Sequence, residues 1–218
     1  MIRVLVVDDH ELVRSGITRM LADNPDIEVI GQAASGEEAI DSVRDRAPDI
    51  VLMDIRMPGI GGLEATRRIL RIDDAIRVIV VTACADDPYP TRVMQAGATA
   101  YITKGADIRE MIRAIRMAHS GQRYISPEIA QKMALKQLGE HGGDPSESIF
   151  DRLSEREMQI ALMVVDCQKV QDISDKLCLS PKTVNSYRYR IFEKLEISSD
   201  VELALMAVRL GLLDADKV

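Results

Sequence analysis

Short runs of apolar residues alternate with amphipathic stretches over the first 120 positions of the chain. The apolar runs are Val4–Val7, Ile27–Ile30, Ile50–Met53, Val78–Val81 and Ala100–Ile102. Helical spacing of apolar residues marks the stretches near 11–22, 36–46, 62–71, 89–96 and 107–119. Because a helix separates each strand from the next, the strands should be parallel, with right-handed crossovers and both sheet faces buried. The pattern therefore predicts a doubly wound α/β domain with a five-stranded parallel sheet over residues 1–120.

The pattern changes after residue 120, where one helix and then a flexible stretch are predicted. Ser126 followed by Pro127 is typical of a helix start, and this helix should run to about Leu138. Glycine, proline and charged residues dominate 139–146, which is the composition of a flexible linker. We therefore predict a first domain over 1–120, a helical linker and flexible tether over 121–150, and a second domain over 151–218.

The second domain is predicted to be a small all-α module of four helices. Residues Ser154 and Glu157 have the spacing of a capping box, flanked by Leu153 and Met158 as a hydrophobic staple. Helical patterns continue over 154–165, 170–177, 181–195 and 200–210. The second and third helices are joined by a tight connection, which is the arrangement of a helix-turn-helix.

Composition indicates a protein without a membrane-spanning or exported segment. No apolar run approaches the roughly 20 residues that span a bilayer, and the start of the chain lacks the pattern of an export signal. The three cysteines, Cys84, Cys167 and Cys178, show no CxxC spacing, so we expect reduced packing thiols rather than disulfides or a zinc site. We expect a cytoplasmic protein with no membrane partner.

Net charge at first disfavours a nucleic-acid partner, because 28 basic residues against 35 acidic ones give −7. The distribution of charge changes this picture. The segment from Lys182 to Lys194 carries four basic residues against Glu193 alone, a local excess of +3. A basic helix on an acidic protein can still dock on DNA phosphates.

Polar residues stand where the predicted strands end. Asp8 and Asp9 follow the first strand, Asp54 ends the third, Thr82 ends the fourth and Lys104 follows the fifth. The carboxyl ends of parallel strands lie along one edge of the sheet, where ligands bind. Singly, an aspartate could cap a helix, Thr82 could be a turn residue and Lys104 a solvated charge. Jointly, their placement at one edge favours a single site.

Three converging carboxylates repel one another and need a counter-ion, and oxygen ligands suit Mg²⁺ or Mn²⁺. A lysine beside them can hold a phosphoryl oxygen. The set therefore suits phosphoryl transfer to Asp54, which would form an acyl phosphate. Thr82 has a hydroxyl that can donate to the phosphoryl oxygens, and the small Ala83 leaves room for them.

The helix predicted over 181–195 has two distinct faces. Val184, Tyr187, Ile191 and Leu195 fall at helical spacing and should face the core. On the other face, short polar side chains can reach base edges and basic ones suit phosphates. The candidate DNA-binding residues are Lys182, Thr183, Asn185, Ser186, Arg188, Tyr189, Arg190 and Lys194. A merely solvated face would more often carry glutamate–lysine pairs four residues apart.

The last predicted helix is apolar over more of its surface than a four-helix module can bury. Core packing explains part of the run from Val201 to Val208. We expect the rest to form a two-fold dimer contact, and such a dimer would bind paired DNA half-sites.

The motifs around the strand ends resemble those of two-component response-regulator receivers, over residues 2–120 or so. The matching segments are 6–10, 52–59, 81–83 and 101–105. The resemblance implies a flavodoxin-like fold, with Asp54 as the phosphoacceptor and a sensor histidine kinase as the donor. It implies that Asp9 and Asp54 ligate Mg²⁺, that Arg56 adds its backbone carbonyl, and that Asp8 acts through metal-bound water.

The same resemblance implies that Thr82 and Tyr101 form a switch pair that reorients on phosphorylation. Tyr101 alternatively just packs against the fourth helix. Gly105 follows the lysine, where many receivers have proline, a substitution familiar in the NarL/FixJ branch.

Segments 153–157 and 179–184, with Ile191 and Lys194-Leu195, resemble the LuxR-type helix-turn-helix. Two departures are Tyr187, where histidine is usual, and Cys167, where glycine is usual. The whole chain resembles a subgroup of global activators that act with a BarA/GacS-type sensor kinase. The resemblance implies that the targets are small regulatory RNAs that sequester a translational repressor. We expect phosphorylation of Asp54 to shift a mostly monomeric protein towards a DNA-binding homodimer.

Two other functions are compatible with parts of the pattern. A phosphatase or hydrolase could use the acidic site, although haloacid-dehalogenase-type enzymes want a second aspartate where Arg56 stands. A protein-binding adaptor could have the same two domains without binding DNA. We expect a regulator and not an enzyme.

Overall fold

The computed structural model describes residues 1–82, 90–139, 150, 152–177 and 179–209. Internal contacts divide the chain into two compact units, Met1–Lys136 and Gln137–Val218. The first unit thus extends beyond residue 120, and the division into three segments stays a prediction. Residues 140–149 of the predicted linker and tether, together with Ala83, Cys84 and Cys178, lie outside the described residues.

In the described part of the first unit, six parallel strands form one sheet in the order β2-β1-β3-β4-β5-β6. The strands are β1 Ile2–Val7, β2 Ile27–Ala33, β3 Ile50–Asp54, β4 Arg77–Thr82, β5 Ala100–Thr103 and β6 Tyr124–Ile125. The helices are α1 Glu11–Leu21, α2 Gly36–Arg46, α3 Gly61–Ile72, α4 Pro90–Gln95, α5 Ile108–His119 and α6 Pro127–Gly139. The predicted doubly wound α/β class is confirmed.

The sheet is buried on both faces, as its uninterrupted apolar runs predict. Alternate residues of β1 enter opposite cores, because side chains alternate along a strand. Val4 and Val6 pack with α1 and α5 residues such as Leu21 and Ile115. The other core contains Leu5 and Val7 with residues of α2 and α3.

The sheet carries one strand more than the apolar pattern predicts. β6 has only two residues, too few for a periodic signal, and its Tyr124 and Ile125 pair with Ala100 and Tyr101 of β5. The Tyr124 hydroxyl donates to the Glu110 carboxylate of α5 at 3.0 Å. Burial, and then this carboxylate, raises the pKa of Tyr124. The edge strand is therefore attached to both the sheet and α5.

Four helices occupy residues 152–177 and 179–209 of the second unit. They are α7 Glu155–Val165, α8 Val170–Lys176, α9 Pro181–Leu195 and α10 Asp200–Arg209. The predicted capping box at Ser154 and Glu157 is present, and Ser180 caps α9 by accepting from Thr183 N–H. Local sequence signals therefore predicted where α7 and α9 begin.

Helix α7 ends in a left-handed residue. Cys167 has φ 57°, in a region that favours glycine, and its N–H donates to Val164 O while Gln168 N–H donates to Met163 O. This is a Schellman C-cap, in which glycine is the usual residue at that position. Cys167 therefore adopts a conformation that glycine reaches without strain, and it does so at a cost. Among the described residues, no helix is long and apolar enough to cross a membrane.

Candidate functional site

The carboxyl ends of β1 and β3 lie side by side. Val7 is in register with Met53, so Asp8 and Asp54 follow at neighbouring positions on adjacent strands. Lys104 reaches both: its Nζ is 2.6 Å from Asp8 Oδ2 and 2.8 Å from Asp54 Oδ2. Both carboxylates are buried, with Asp54 only 4% exposed. The structure therefore brings Asp8, Asp54 and Lys104 together, as the sequence pattern predicts.

Burial and ion pairing act in opposite directions on these groups. Burial raises the pKa of Asp54, although the hydrogen bond from Lys104 partly offsets it. Burial alone would lower the pKa of Lys104, but its hydrogen bonds to Asp54 and Asp8 outweigh this, so the pKa is raised. The lysine is therefore charged at neutral pH, while the ionised form of Asp54 is disfavoured.

Four side chains at this edge can hold a metal ion. Asp8, Asp9, His10 and Asp54 each offer one ligand atom, and these atoms lie within 4.8 Å of one another. The three carboxylates fit a hard divalent cation such as Mg²⁺. His10 is the member of this group to which the sequence analysis assigned no role. Its position directly after two candidate ligands is the signal that could have identified it.

Two further backbone features shape the site. Arg56 N–H points to Asp54 Oδ1 at 3.4 Å, a long hydrogen bond that places the Arg56 backbone beside the pocket. Gly62, in the first turn of α3, lies against the backbone of Asp54. A Cβ at Gly62 would come within 1.9 Å of the Asp54 carbonyl oxygen, so only glycine fits. Gly62 is not predictable from the sequence pattern, because helix periodicity does not indicate which strand residue a helix touches.

Thr82 and Tyr101 lie on the same face of the sheet. Val80 is in register with Tyr101, and Thr82 follows Val80 by two residues, so their side chains share a side. Both residues are buried, Tyr101 completely. Lys104 N–H donates to Thr82 O at 2.5 Å, which ties the lysine to the end of β4.

On α9, Val184, Ile191 and Leu195 are buried, as predicted, and Tyr187 is half-buried. The opposite face carries Tyr189, which is 73% exposed. Among the other candidate DNA-binding residues, the exposed ones are Lys182, Ser186, Arg190 and Lys194, and the half-buried ones are Thr183, Asn185 and Arg188.

Two of the candidate phosphate-binding cations have partners within the second unit. Lys194 Nζ is 2.6 Å from Oε2 of Glu157, which is buried. Burial would raise the pKa of Glu157, but hydrogen bonds from Lys194 and Ser154 outweigh it, so the pKa is lowered. Arg188 forms an ion pair with Asp200 and donates to Asn185 Oδ1 at 3.0 Å.

The remaining two cations of α9 differ from this pair. Lys182 and Arg190 are exposed, and neither forms an ion pair with any residue that the structure describes. The Arg190 guanidinium lies 5.8 Å from the Tyr187 ring centroid, at cation–π distance. These two side chains can therefore meet an external anion without breaking an ion pair of the described fold.

Two family models match separate parts of the chain. Residues 4–116 match the response regulator receiver domain, and residues 151–207 match the bacterial regulatory proteins of the luxR family. The first match covers the acidic site, and the second covers α7 to α9 and most of α10.

Full-length relatives match both parts together. The chain is 66% identical to the response regulator GacA of Pseudomonas viridiflava over 215 residues, or 99% of each sequence. It is 55% identical to the response regulator UvrY of Escherichia coli strain K12, covering 99% of the chain and 98% of UvrY.

Solved structures give the same picture of the fold. A LuxR-family response regulator from Aurantimonas sp. SI85-9A1 is 39% identical with a TM-score of 0.60, covering 62% of this chain and 97% of that one. The RcsB response regulator bound to DNA has a TM-score of 0.58, covering 94% and 96% of the two chains. At 20% identity, the RcsB likeness supports the fold alone.

Proposed function

Because the chain belongs to the response regulators that join a receiver domain to a LuxR-type DNA-binding domain, we propose that Asp54 accepts a phosphoryl group from a sensor histidine kinase. Phosphorylation then promotes binding of promoter DNA by a dimer. Members of this family are DNA-binding transcription regulators and not enzymes. The observation that carries the proposal is the buried Asp54 carboxylate, held at a strand end against Lys104 and two more aspartates.

In the proposed transfer, an Asp54 carboxylate oxygen attacks phosphorus on the kinase's phosphohistidine. A P–O bond forms, the P–N bond breaks, and the histidine nitrogen keeps the electron pair. Lys104, charged and already within 2.8 Å of Asp54 Oδ2, is positioned to hold an oxygen of the transferred group.

The proposed metal ligands are Asp9, Asp54 and the Arg56 backbone carbonyl, with Asp8 acting through water. A Mg²⁺ ion bound there would neutralise charge on the transferring group. The all-oxygen character of the three carboxylates, and their clustering within 4.8 Å, support this assignment.

We propose Thr82 and Tyr101 as the pair that responds to phosphorylation. Thr82 stands at the end of β4, where its hydroxyl can donate to phosphoryl oxygens. Tyr101 shares its sheet face, so a shift of Thr82 would change the space beside the tyrosine ring. This role is supported by the common face and by the burial of both side chains.

For DNA recognition, we propose that the exposed face of α9 enters the major groove. Base edges would be met by Lys182, Thr183, Asn185, Ser186 and Tyr189, and phosphates by Arg188, Arg190 and Lys194. Lys182 and Arg190 are the best supported, because they form no ion pair with the described residues, whereas Arg188 and Lys194 also serve internal ion pairs. The similarity to LuxR-type regulators supports the assignment of α9.

The dimer contact is proposed to involve α10. Val201 is 67% exposed and Leu205, one turn later, is 54% exposed, whereas Leu203 and Ala207 are fully buried. An exposed apolar pair on one face is a surface that a second copy can cover. Leu205→Glu should keep the phosphorylated protein monomeric in sedimentation, whereas Ile72→Glu, at an exposed apolar position of α3, should not.

The central test compares the protein with and without phosphodonor. Treating it with a small acyl phosphate and Mg²⁺ should add one phosphoryl group, increase the sedimenting mass towards a dimer and tighten binding to genomic fragments. Asp54→Ala should abolish all three changes, and Asp45→Ala, at an exposed position of α2, should abolish none. Equal mass and affinity with and without donor would contradict the phosphorylation switch.

We also propose that a BarA/GacS-type kinase is the donor and that genes for small regulatory RNAs are targets. The similarity to GacA and UvrY over nearly the whole chain supports this finer proposal. Sequencing the genomic fragments that the phosphorylated protein retains should recover such genes. Recovery of unrelated promoters alone would contradict the target assignment and leave the switch intact.

A further inference from the structure

We propose that His10 is an additional metal ligand of the receiver pocket, and that it allows the pocket to bind late first-row divalent ions such as Co²⁺, Ni²⁺ and Zn²⁺. This inference rests on the proposed function, because it concerns the same pocket in which Asp54 is phosphorylated. It adds a nitrogen donor to a site otherwise built of oxygens.

The distances around His10 match those of ligands sharing one ion. Its Nδ1 is 2.8 Å from Asp9 Oδ1 and 3.3 Å from Asp8 Oδ1. Two atoms that are each about 2.1 Å from a metal lie about 3.0 Å apart at an octahedral angle and about 3.4 Å apart at a tetrahedral one. His10 Nδ1 and Asp9 Oδ1 therefore have the spacing of two ligands of one ion, and Asp8 Oδ1 lies beside them.

The two oxygens of Asp8 face different partners. Oδ2 accepts the Lys104 ammonium at 2.6 Å, whereas Oδ1 faces His10 and also accepts His10 N–H at 2.9 Å. The lysine and the histidine therefore contact opposite oxygens of one buried carboxylate. A metal bound on the His10 side leaves the Lys104 contacts to Asp8 and Asp54 in place.

The side chain of His10 is also accessible to solvent, while its backbone is held by a hydrogen bond. His10 precedes α1 with extended backbone angles, its side chain makes no cap hydrogen bond, and it is 68% exposed. The imidazole can therefore reorient to present Nδ1 to an ion entering from solvent, while its backbone stays attached to Asp8.

Imidazole changes the metal preference of an oxygen site. Carboxylates suit Mg²⁺ and Mn²⁺, whereas imidazole suits the later transition metals, whose affinity for mixed sites follows the order Co²⁺ < Ni²⁺ < Cu²⁺ > Zn²⁺. His10 should therefore raise the affinity for Co²⁺ relative to Mg²⁺. In a cell, such an ion would compete with Mg²⁺ for the carboxylates that support phosphorylation.

The test uses the full-length, tag-free protein and Co²⁺ alone as the probe. Proton NMR of the Co²⁺-loaded protein should show a paramagnetically shifted imidazole signal from His10. His10→Ala should remove that signal and lower the ratio of Co²⁺ to Mg²⁺ affinity by at least about tenfold, the scale that loss of even an outer-shell partner costs.

Two further variants separate ligation from other roles. His119→Ala, at the exposed end of α5, should change neither the shifted signal nor the affinity ratio. His10→Gln keeps a hydrogen-bond donor beside the carboxylates but lacks the imidazole, so it should behave like His10→Ala. Recovery of the wild-type ratio in His10→Gln would show that His10 only positions the aspartates, and would overturn the proposal.

The proposal is also overturned if Co²⁺ produces no shifted imidazole signal in the wild type. Its failure is distinguishable from failure of the proposed function, because phosphorylation of the wild-type protein with Mg²⁺ is measured separately. A protein that is phosphorylated but shows no His10 signal would retain the switch and lose this inference.

Discussion

The two units of the chain differ in how their buried carboxylates are paired with cations. At the strand ends of the first unit, Lys104 forms ion pairs with both Asp8 and Asp54, and the partly buried Asp9 lies in the same cluster. Among the described residues, one ammonium group thus faces three carboxylates. In the second unit, the buried Glu157 has its own partner in Lys194. The first arrangement is short of positive charge, and the second is balanced.

This difference in charge balance distinguishes a binding site in the first unit from a structural ion pair in the second. Buried charges are tolerated in a fold when they are paired and hydrogen-bonded, and they are costly when they are not. The Glu157–Lys194 pair meets that condition and joins the start of α7 to the end of α9. The acidic pocket does not, and an external cation would supply what it lacks. Charge balance, more than the presence of charge, distinguishes the two regions.

The largest expected effect comes from breaking the balanced pair. Glu157→Gln removes the charge that faces Lys194 and keeps a side chain able to complete the capping box. The free energy of unfolding of the second unit should therefore fall by about 2 kcal/mol, the scale of a hydrogen bond between charged groups. Urea unfolding of the full chain, with hydrogen exchange of the α7 amides as the local readout, measures it. Glu193→Gln, at an exposed position of α9, is the control and should change little. If both variants change the free energy of unfolding equally and only slightly, the Glu157–Lys194 pair does not stabilise the second unit.

Neutralising the acidic pocket should have the opposite sign. Asp54→Asn replaces a buried carboxyl group whose ionised form is disfavoured in the fold. Without divalent metal, the free energy of unfolding of the first unit should therefore rise by about 1 kcal/mol. Hydrogen exchange of β1 and β3 amides in a chelating buffer gives the change, with Asp45→Asn as the exposed control. A loss of stability would mean that the Lys104 contact already balances the pocket.

A smaller effect is expected from the cations of α9. Arg190→Ala removes an exposed charge, so it should weaken binding to all duplexes about threefold at moderate salt and reduce the slope of log affinity against log salt by about 1. The free energy of unfolding of the second unit should stay unchanged in Arg190→Ala. Electrophoretic mobility shifts at several salt concentrations test this.

Arg188→Ala is the matched comparison on the same helix. Because Arg188 pairs with Asp200 and donates to Asn185, its loss should also destabilise the second unit and change the base preference through Asn185. Identical profiles of the two arginine variants would contradict the division between internal and available cations.

The smallest effect is expected from mild acid. The pKa of Glu157 lies below its usual value of 4.5, so the stability from its ionised form is fully present above that value. It is lost as the pH falls through the lower folded-state pKa. Between pH 5 and 4 the loss has only begun, so the wild type should lose slightly more stability over this range than Glu157→Gln does. If stability falls equally with pH in the wild type and in Glu157→Gln, ionisation of Glu157 does not contribute to stability in this range.

Local signals in the sequence predicted the elements and the strand-end site well. The capping box at Ser154, the cap at Ser180 and the apolar runs depend on neighbours within a few residues, and all are present. The convergence of Asp8, Asp54 and Lys104 follows from parallel topology, which the alternation of strands and helices already implies.

Features that depend on a distant partner were not predictable in the same way. The two-residue strand β6 exists because β5 offers an edge, and nothing in its own two residues signals a strand. The ion pair of Lys194 with Glu157 joins residues 37 positions apart, and nothing in the helical pattern of either segment indicates it. Pairings of this kind require the packing of helices, which periodicity alone does not specify.

Gly62 connects the chemistry of the pocket to how the domain tolerates change. Any side chain there would push α3 away from the carbonyl oxygen of Asp54. The first turn of α3 thus has a fixed spacing from the end of β3, and a shift of one requires a shift of the other. Variation can accumulate along the outer surface of α3, whereas its point of contact with β3 is confined to the smallest amino acid.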